Sequence, residues 1–168
     1  MLAIAFSSAA AQVDEVVGPI DACSLLPTTA IHNELKRKVG EPQRSDSGYV
    51  AGGAFSSTCM WTVTPDLSAP ASKRRIVILH AMRWPRGKAG TFLEQFYQAA
   101  RNGELPHQPV PRKLGDDALS WGDGVAVRKG DVSFGVSVLV EGISLEESGR
   151  IEEVLAQQVL RKVGNGLH

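Results

Sequence analysis

Residues 117–140, DALSWGDGVAVRKGDVSFGVSVLV, decide the fold. Val132, Phe134, Val136, Val138 and Val140 fall on one side of an alternating pattern, and Ser133, Gly135 and Ser137 on the other. A period of two is what a half-buried strand requires. Gly122-Asp123-Gly124 and Lys129-Gly130-Asp131 interrupt the alternation, and short turns of glycine and acidic residues suit hairpins because glycine admits positive φ. The stretch therefore predicts a meander of three antiparallel strands, at residues 117–121, 125–128 and 132–140.

On its C-terminal side, Ser144 and Glu147 have the spacing of a capping box. Ile151, Val154, Leu155, Val159 and Val163 then recur at helical spacing as far as Gly164, which predicts an amphipathic helix. On its N-terminal side, residues 105–112 carry Pro106, Pro109 and Pro111 and must be extended, since each proline lacks a backbone donor. A second capping box, Thr91 and Glu94, opens a helix that turns Phe92, Phe96, Ala99 and Ala100 inward and stops at Asn102-Gly103. Residues 75–83 form an apolar run, Ile76 to Leu79, that predicts a strand covered on both faces. Cys59, Trp61 and Val63 alternate with Met60 and Thr62 as another strand. Residues 41–57 are polar and glycine-rich and read as a mobile loop or an irregular hairpin. Ahead of them Ile31, Leu35 and Val39 predict a helix capped by Thr28 or Thr29 and stopped by Gly40 and Pro42, with Lys36, Arg37 and Lys38 in its last turn against the negative end of the helix dipole. The expected fold is α+β, one largely antiparallel sheet of five to six strands covered by three helices, because no βαβ alternation runs through the order.

A chain of 168 residues that is 43% hydrophobic builds one domain. Eighteen Lys and Arg balance eighteen Asp and Glu, so no global field draws the chain to nucleic acid, and nucleic acid is not expected as a partner. Residues 1–11 are apolar or small and end in Ala9-Ala10-Ala11, the small-residue pattern of signal peptidase cleavage. They read as the remnant of an export signal, with residues 12–168 as the mature domain; the other reading is a buried N-terminal strand or helix. No Cys lies near the expected cleavage point, and no other stretch approaches the roughly 20 apolar residues that span a bilayer. The mature form is therefore expected to lack a transmembrane segment and to be periplasmic or secreted. Cys23 and Cys59 are the whole cysteine complement, and in an exported chain such a pair reads as a bridge; in a cytosolic chain it would be two buried thiols.

Several short motifs recur here in a fixed order: Asp21-Ala22-Cys23-Ser24-Leu25-Leu26, Val39-Gly40-Glu41-Pro42, Cys59-Met60-Trp61, Leu114-Gly115-Asp116-Asp117-Ala118 and Lys129-Gly130-Asp131. In that order the chain, from Ile20 to Val163, resembles a bacterial envelope family of unknown function. Many members of that family are mycobacterial and other actinobacterial lipoproteins, with a fold similar to that of PsbP, an extrinsic photosystem protein. The resemblance implies a disulfide between the entrance of the first helix and the first core strand, and implies no catalytic residue.

The residues themselves mark no catalytic set, so no cofactor and no metal is expected. His32, His80, His107 and His168 lack ligand spacing. Asp116 and Asp117 with Asp123 are ordinary turn acids, and no Gly-x-Ser-x-Gly elbow is present. Recognition is expected instead at Arg83, Trp84, Arg86 and Lys88, one aromatic and three cations in a loop without an acidic residue, together with Tyr49. Two readings of Trp84 stay open: an exposed anchor, or the plug that closes the end of the core. The function expected is a non-catalytic, exported binding module for a protein or envelope component, its oligomeric state undefined. The alternative is a carrier of a small apolar ligand in a pocket lined by Phe92, Phe96 and Trp121.

Overall fold

Alternating apolar residues built a sheet first and foremost. The computed structural model describes residues 16–64 and 75–166; the expected signal segment, the 65–72 loop and His168 lie outside them. Among the described residues four helices, α1 (Ala22–Leu25), α2 (Thr28–Leu35), α3 (Thr91–Arg101) and α4 (Leu145–Gly166), accompany seven strands. The strands are β1 (Gln43–Tyr49), β2 (Phe55–Thr62), β3 (Arg75–Arg83), β4 (Val110–Pro111), β5 (Asp117–Ser120), β6 (Val125–Lys129) and β7 (Val132–Val140). They form one antiparallel sheet in the order β1-β2-β3-β7-β6-β5-β4, so two meanders meet where β3 pairs along its whole length with β7.

The predicted 117–140 meander is present as β5, β6 and β7. Gly124, in the turn before β6, is required by space: a Cβ there would run into the Trp121 ring and the Val136 carbonyl. Trp61, Val77, Leu79, Phe134 and Val136 line one sheet face and meet Ile31 of α2 and Ile151, Leu155 and Val159 of α4 in the main core. On the other face α3 lays Phe92 and Leu93 over Met82, Leu119 and Ala126, a smaller second core. Burial of this much apolar surface, at about 25 cal/mol per Å², is what holds the helices to the sheet.

The strand and helix counts exceed the expected five to six and three. Of the two readings of residues 41–57, the irregular hairpin is the one present: β1 is an edge strand that pairs antiparallel with β2 and has one register shift, between Asp46 and Gly48. Its sequence QRSDSGY has no apolar alternation because its side chains stay largely exposed on both faces; main-chain pairing with β2 makes it a strand. α1 is a single turn capped by Asp21, whose Oδ1 accepts from the backbone N–H of Cys23 at 2.9 Å. α2 ends earlier than its four-residue repeat suggests. Lys36 turns into the left-handed region at φ 53°, Val39 leaves the helix to bridge Val63, and the Lys36–Lys38 run is not a last helical turn. Nor does Thr91 cap α3: Gly90 is the cap residue and Glu94 pairs instead with Arg101 at 2.6 Å. Ser144 does cap α4, accepting from the Glu147 N–H at 3.1 Å. In β3, Val77, Leu79 and Ala81 are buried but Ile76, Ile78 and His80 are only half covered, so the strand alternates rather than being sealed on both faces.

Cys23 of α1 and Cys59 of β2 are bonded, with Cα atoms 5.0 Å apart. The bond fixes a one-turn helix to β2, the strand next to the β1 edge of the sheet.

Candidate functional site

β3 ends at Arg83 opposite Val132, the first residue of β7, and the chain then turns away through Trp84 to Gly90. The Trp84 N–H donates to the Asp131 carbonyl at 2.8 Å, so this loop begins against the Lys129–Asp131 turn. Trp84 itself is 3% exposed, and its indole Nε1–H donates to Ser133 Oγ at 2.7 Å. Of the two readings open in the sequence, Trp84 is the plug of the second core, not an exposed anchor. The β1–β2 turn reaches the same place: Gly52, at φ +85°, comes so close that a Cβ on it would lie 3.3 Å from the Trp84 ring. Tyr49, 57% exposed, stacks edge-on against Phe55 and donates from its hydroxyl to the Val17 carbonyl at 2.8 Å. That contact fastens the N-terminal arm to the sheet edge.

These loops leave a cleft of about 490 Å³. Arg83 and Arg86 line it; Lys88 and Tyr49, expected in the same site, stand outside its wall. Its apolar surface comes from Val16, Val17, Val132 and Val163, and its far wall from the Lys129–Asp131 turn with Asp116. None of these last residues was expected in a site. Asp116 is already satisfied: it accepts from Lys129 Nζ at 2.8 Å and the Gly130 N–H at 2.7 Å, which hold its carboxyl below the usual range, the backbone bond contributing most. Asp131 Oδ1 accepts from the Gly87 N–H at 3.2 Å. Arg83, Arg86 and Lys88 make no ion pair among the described residues. The cleft thus presents two guanidinium groups that are uncommitted among the described residues, beside an apolar wall, an arrangement with the chemistry to receive an anionic or strongly polar group on an apolar body.

His80 Nε2 and Ser56 Oγ are 2.9 Å apart, the separation of a base and a nucleophile. Ser56 is nevertheless buried, the His80 ring lies edge-on to Phe92, burial pushes the imidazole pKa down, and no carboxylate bonds the ring. The pair satisfies two polar groups under α3 without access for a substrate. No group of three His, Cys, Asp or Glu among the described residues is placed to hold a metal ion. Phe92, Phe96 and Trp121, which the carrier reading places around one pocket, pack against one another, with ring centroids at 5.4 and 4.6 Å.

The sequence gives no hint of Glu152. It is 3% exposed, on the face of α4 that meets the sheet. β6 begins opposite Val136, so two residues further along β7 the main chain of Val138 has no strand neighbour on that side. α4 supplies the missing partner: Glu152 Oε1 accepts from the Val138 N–H at 2.9 Å, and Ser148 Oγ donates to the Val138 carbonyl at 2.8 Å. Burial pushes the Glu152 carboxyl up to about 7, against the two hydrogen bonds that favour its charged form. Between about pH 4.5 and 7 the folded protein therefore keeps a proton that the unfolded chain releases, and stability falls as pH rises across that window. Glu152→Gln retains an acceptor for Val138 and removes that loss. By urea denaturation the variant is expected to match the parent near pH 4 and to exceed it by on the order of 2 to 3 kcal/mol near pH 8. Parallel pH profiles for the two proteins would show that Glu152 does not titrate as described.

No helix among the described residues is long and apolar enough to cross a membrane. Comparison of the chain with protein-family models, curated proteins and solved structures finds no match.

Proposed function

We propose that this chain is a non-catalytic, exported binding module that engages a protein or an envelope component at the cleft beside Arg83 and Arg86. The observation that carries the reading is the pair of arginines, both facing one cleft and neither matched by a carboxylate among the described residues. Two cations left unpaired beside apolar surface raise the free energy of the empty state relative to one filled by a complementary group. The Cys23–Cys59 bond supports an oxidising compartment, periplasmic or secreted. The ordered motifs, with an antiparallel α+β sheet, support kinship with the envelope family and its PsbP-like fold.

Replacing Arg83, Arg86 and Lys88 together by alanine is the test. Each is partly or fully exposed and outside the core, so each substitution is expected to change stability by less than about 0.5 kcal/mol. Capture of the partner from envelope extract by the immobilised protein should fall, and capture by the parent should weaken with added salt as the Debye length shrinks. Full capture by the triple variant would move the binding site off this cleft.

A further inference from the structure

A second cleft, also about 490 Å³, lies at the opposite end of β6, between the β4–β5 edge and the N-terminal half of α4. A smaller cavity of about 160 Å³ adjoins it, and Glu152 borders both. Oε1 of Glu152 is committed to Val138, but Oε2 accepts no hydrogen bond. No sealed-off side-chain oxygen among the described residues lacks a partner, so Oε2 must open onto this space. A carboxylate oxygen with no protein donor, on a side chain that is only 3% exposed and borders a cavity of ligand size, is an anchor for a positive group.

The surrounding charges select the same sign. From α4, Arg150 is spent on Glu147 and Glu34, and Glu153 on Arg112, the residue directly after β4. That leaves Glu146 on α4 and Asp123 in the β5–β6 turn as further negative charges, against His107 at the rim. Asp123 and Glu153 both act on Glu152 as like charges. The rest of the wall mixes the polar Gln108 and Ser120 with an apolar part, Val125 and two large hydrophobic side chains that are exposed to solvent, Val110 at 49% and Leu145 at 79%.

We propose that this cleft binds a small organic cation, an ammonium group on an apolar body, with the Glu152 carboxylate as its counter-ion and Val110 and Leu145 against the apolar part. The hydrogen bond to Val138 does not need a carboxylate, since an amide oxygen accepts equally well; the charge is what the cleft uses. A bound ammonium also favours the ionised acid, so ligand and proton compete for Glu152.

Isothermal titration with n-hexylammonium, n-hexanol and n-hexanoate tests this. Hexylammonium should bind the parent near pH 8, and hexanol and hexanoate should not. Its affinity should drop about tenfold near pH 6, where Glu152 is mostly protonated while the amine stays charged. Glu152→Gln should weaken it by at least about tenfold with no loss of thermal stability. Equal binding of hexanol, a flat pH profile, undiminished binding by Glu152→Gln, or no binding of hexylammonium would each overturn the proposal. The first two need no variant, so a Gln protein that folded poorly would leave the result decided. Because this cleft is remote from Arg83 and Arg86, its failure leaves the first binding site untouched, and the Arg83/Arg86/Lys88 variant should bind hexylammonium as the parent does.

Discussion

Trp84→Ala is expected to cost about 3 to 5 kcal/mol of stability, the range for truncating a buried large side chain. Two separate losses add. The indole is 3% exposed and packs in the second core with Met82, Ala89, Phe92 and Leu93, so its removal leaves a cavity that surrounding strands cannot collapse into. In addition Ser133, itself fully buried, loses the Nε1–H that satisfies its oxygen at 2.7 Å. Trp84→Phe separates the two, because it keeps most of the apolar volume and still removes the donor; a smaller loss of about 1 to 3 kcal/mol is expected there. Urea denaturation with an unchanged m-value is the measurement. A loss under about 1 kcal/mol for the alanine variant would put the ring at the surface and restore it as a candidate anchor. The contrast with its cationic neighbours matters, since one loop then contains a residue that holds the fold and residues that leave it indifferent.

Removing the disulfide has an effect of similar size by a different route. Cys23 and Cys59 are 36 positions apart, and on the chain-entropy model a loop of that length makes the bond worth roughly 3 to 4 kcal/mol through restriction of the unfolded chain. Cys23→Ala with Cys59→Ala should lose about that much, a little more if the void at fully buried Cys59 stays open. The folded protein should also change locally. A four-residue helix has no stability of its own. Without the bond, α1 rests on the Asp21 cap, on the Ala22 N–H to Ser57 Oγ bond at 3.1 Å and on burial of Ala22 and Leu25. Hydrogen exchange in residues 20–26 should therefore accelerate more than anywhere in β3 or β7. Titration of the unfolded, unreduced parent should find no free thiol; two would disprove the bond.

Elements whose signal is local were legible in the sequence. β7 declares itself by strict alternation, β5 and β6 by the glycine turns between them, and α4 by its apolar stripe behind Ser144. What escaped depends on partners far along the chain. β1 carries no pattern because an uncovered edge strand imposes none on its side chains. Val39 kept the period of α2, yet the chain leaves the helix at Lys36 so that Val39 can meet Val63. The loop after β3 could be placed from the sequence, but the burial of Trp84 and the approach of the Lys129–Asp131 turn both follow from β3 pairing with β7 across some 50 intervening residues. Glu152 was hidden for the same reason. A lone acid in an apolar helical stripe looks like a solvent-facing residue until β6 is seen to stop short of Val138.

The same β3–β7 seam has a bearing on how the chain is made. During translation the first meander emerges complete with α1 and the Cys59 strand, but β3 then displays a bare edge of nine residues, RIVILHAMR. Its partner is synthesised only after about 50 more residues, on the order of 3 to 10 seconds at ordinary ribosomal speeds. For that interval an apolar, unpaired strand is open to strands of neighbouring nascent chains. Yield in a foreign host should therefore respond to slower initiation, lower temperature or a holding chaperone more than to any change at the protein surface.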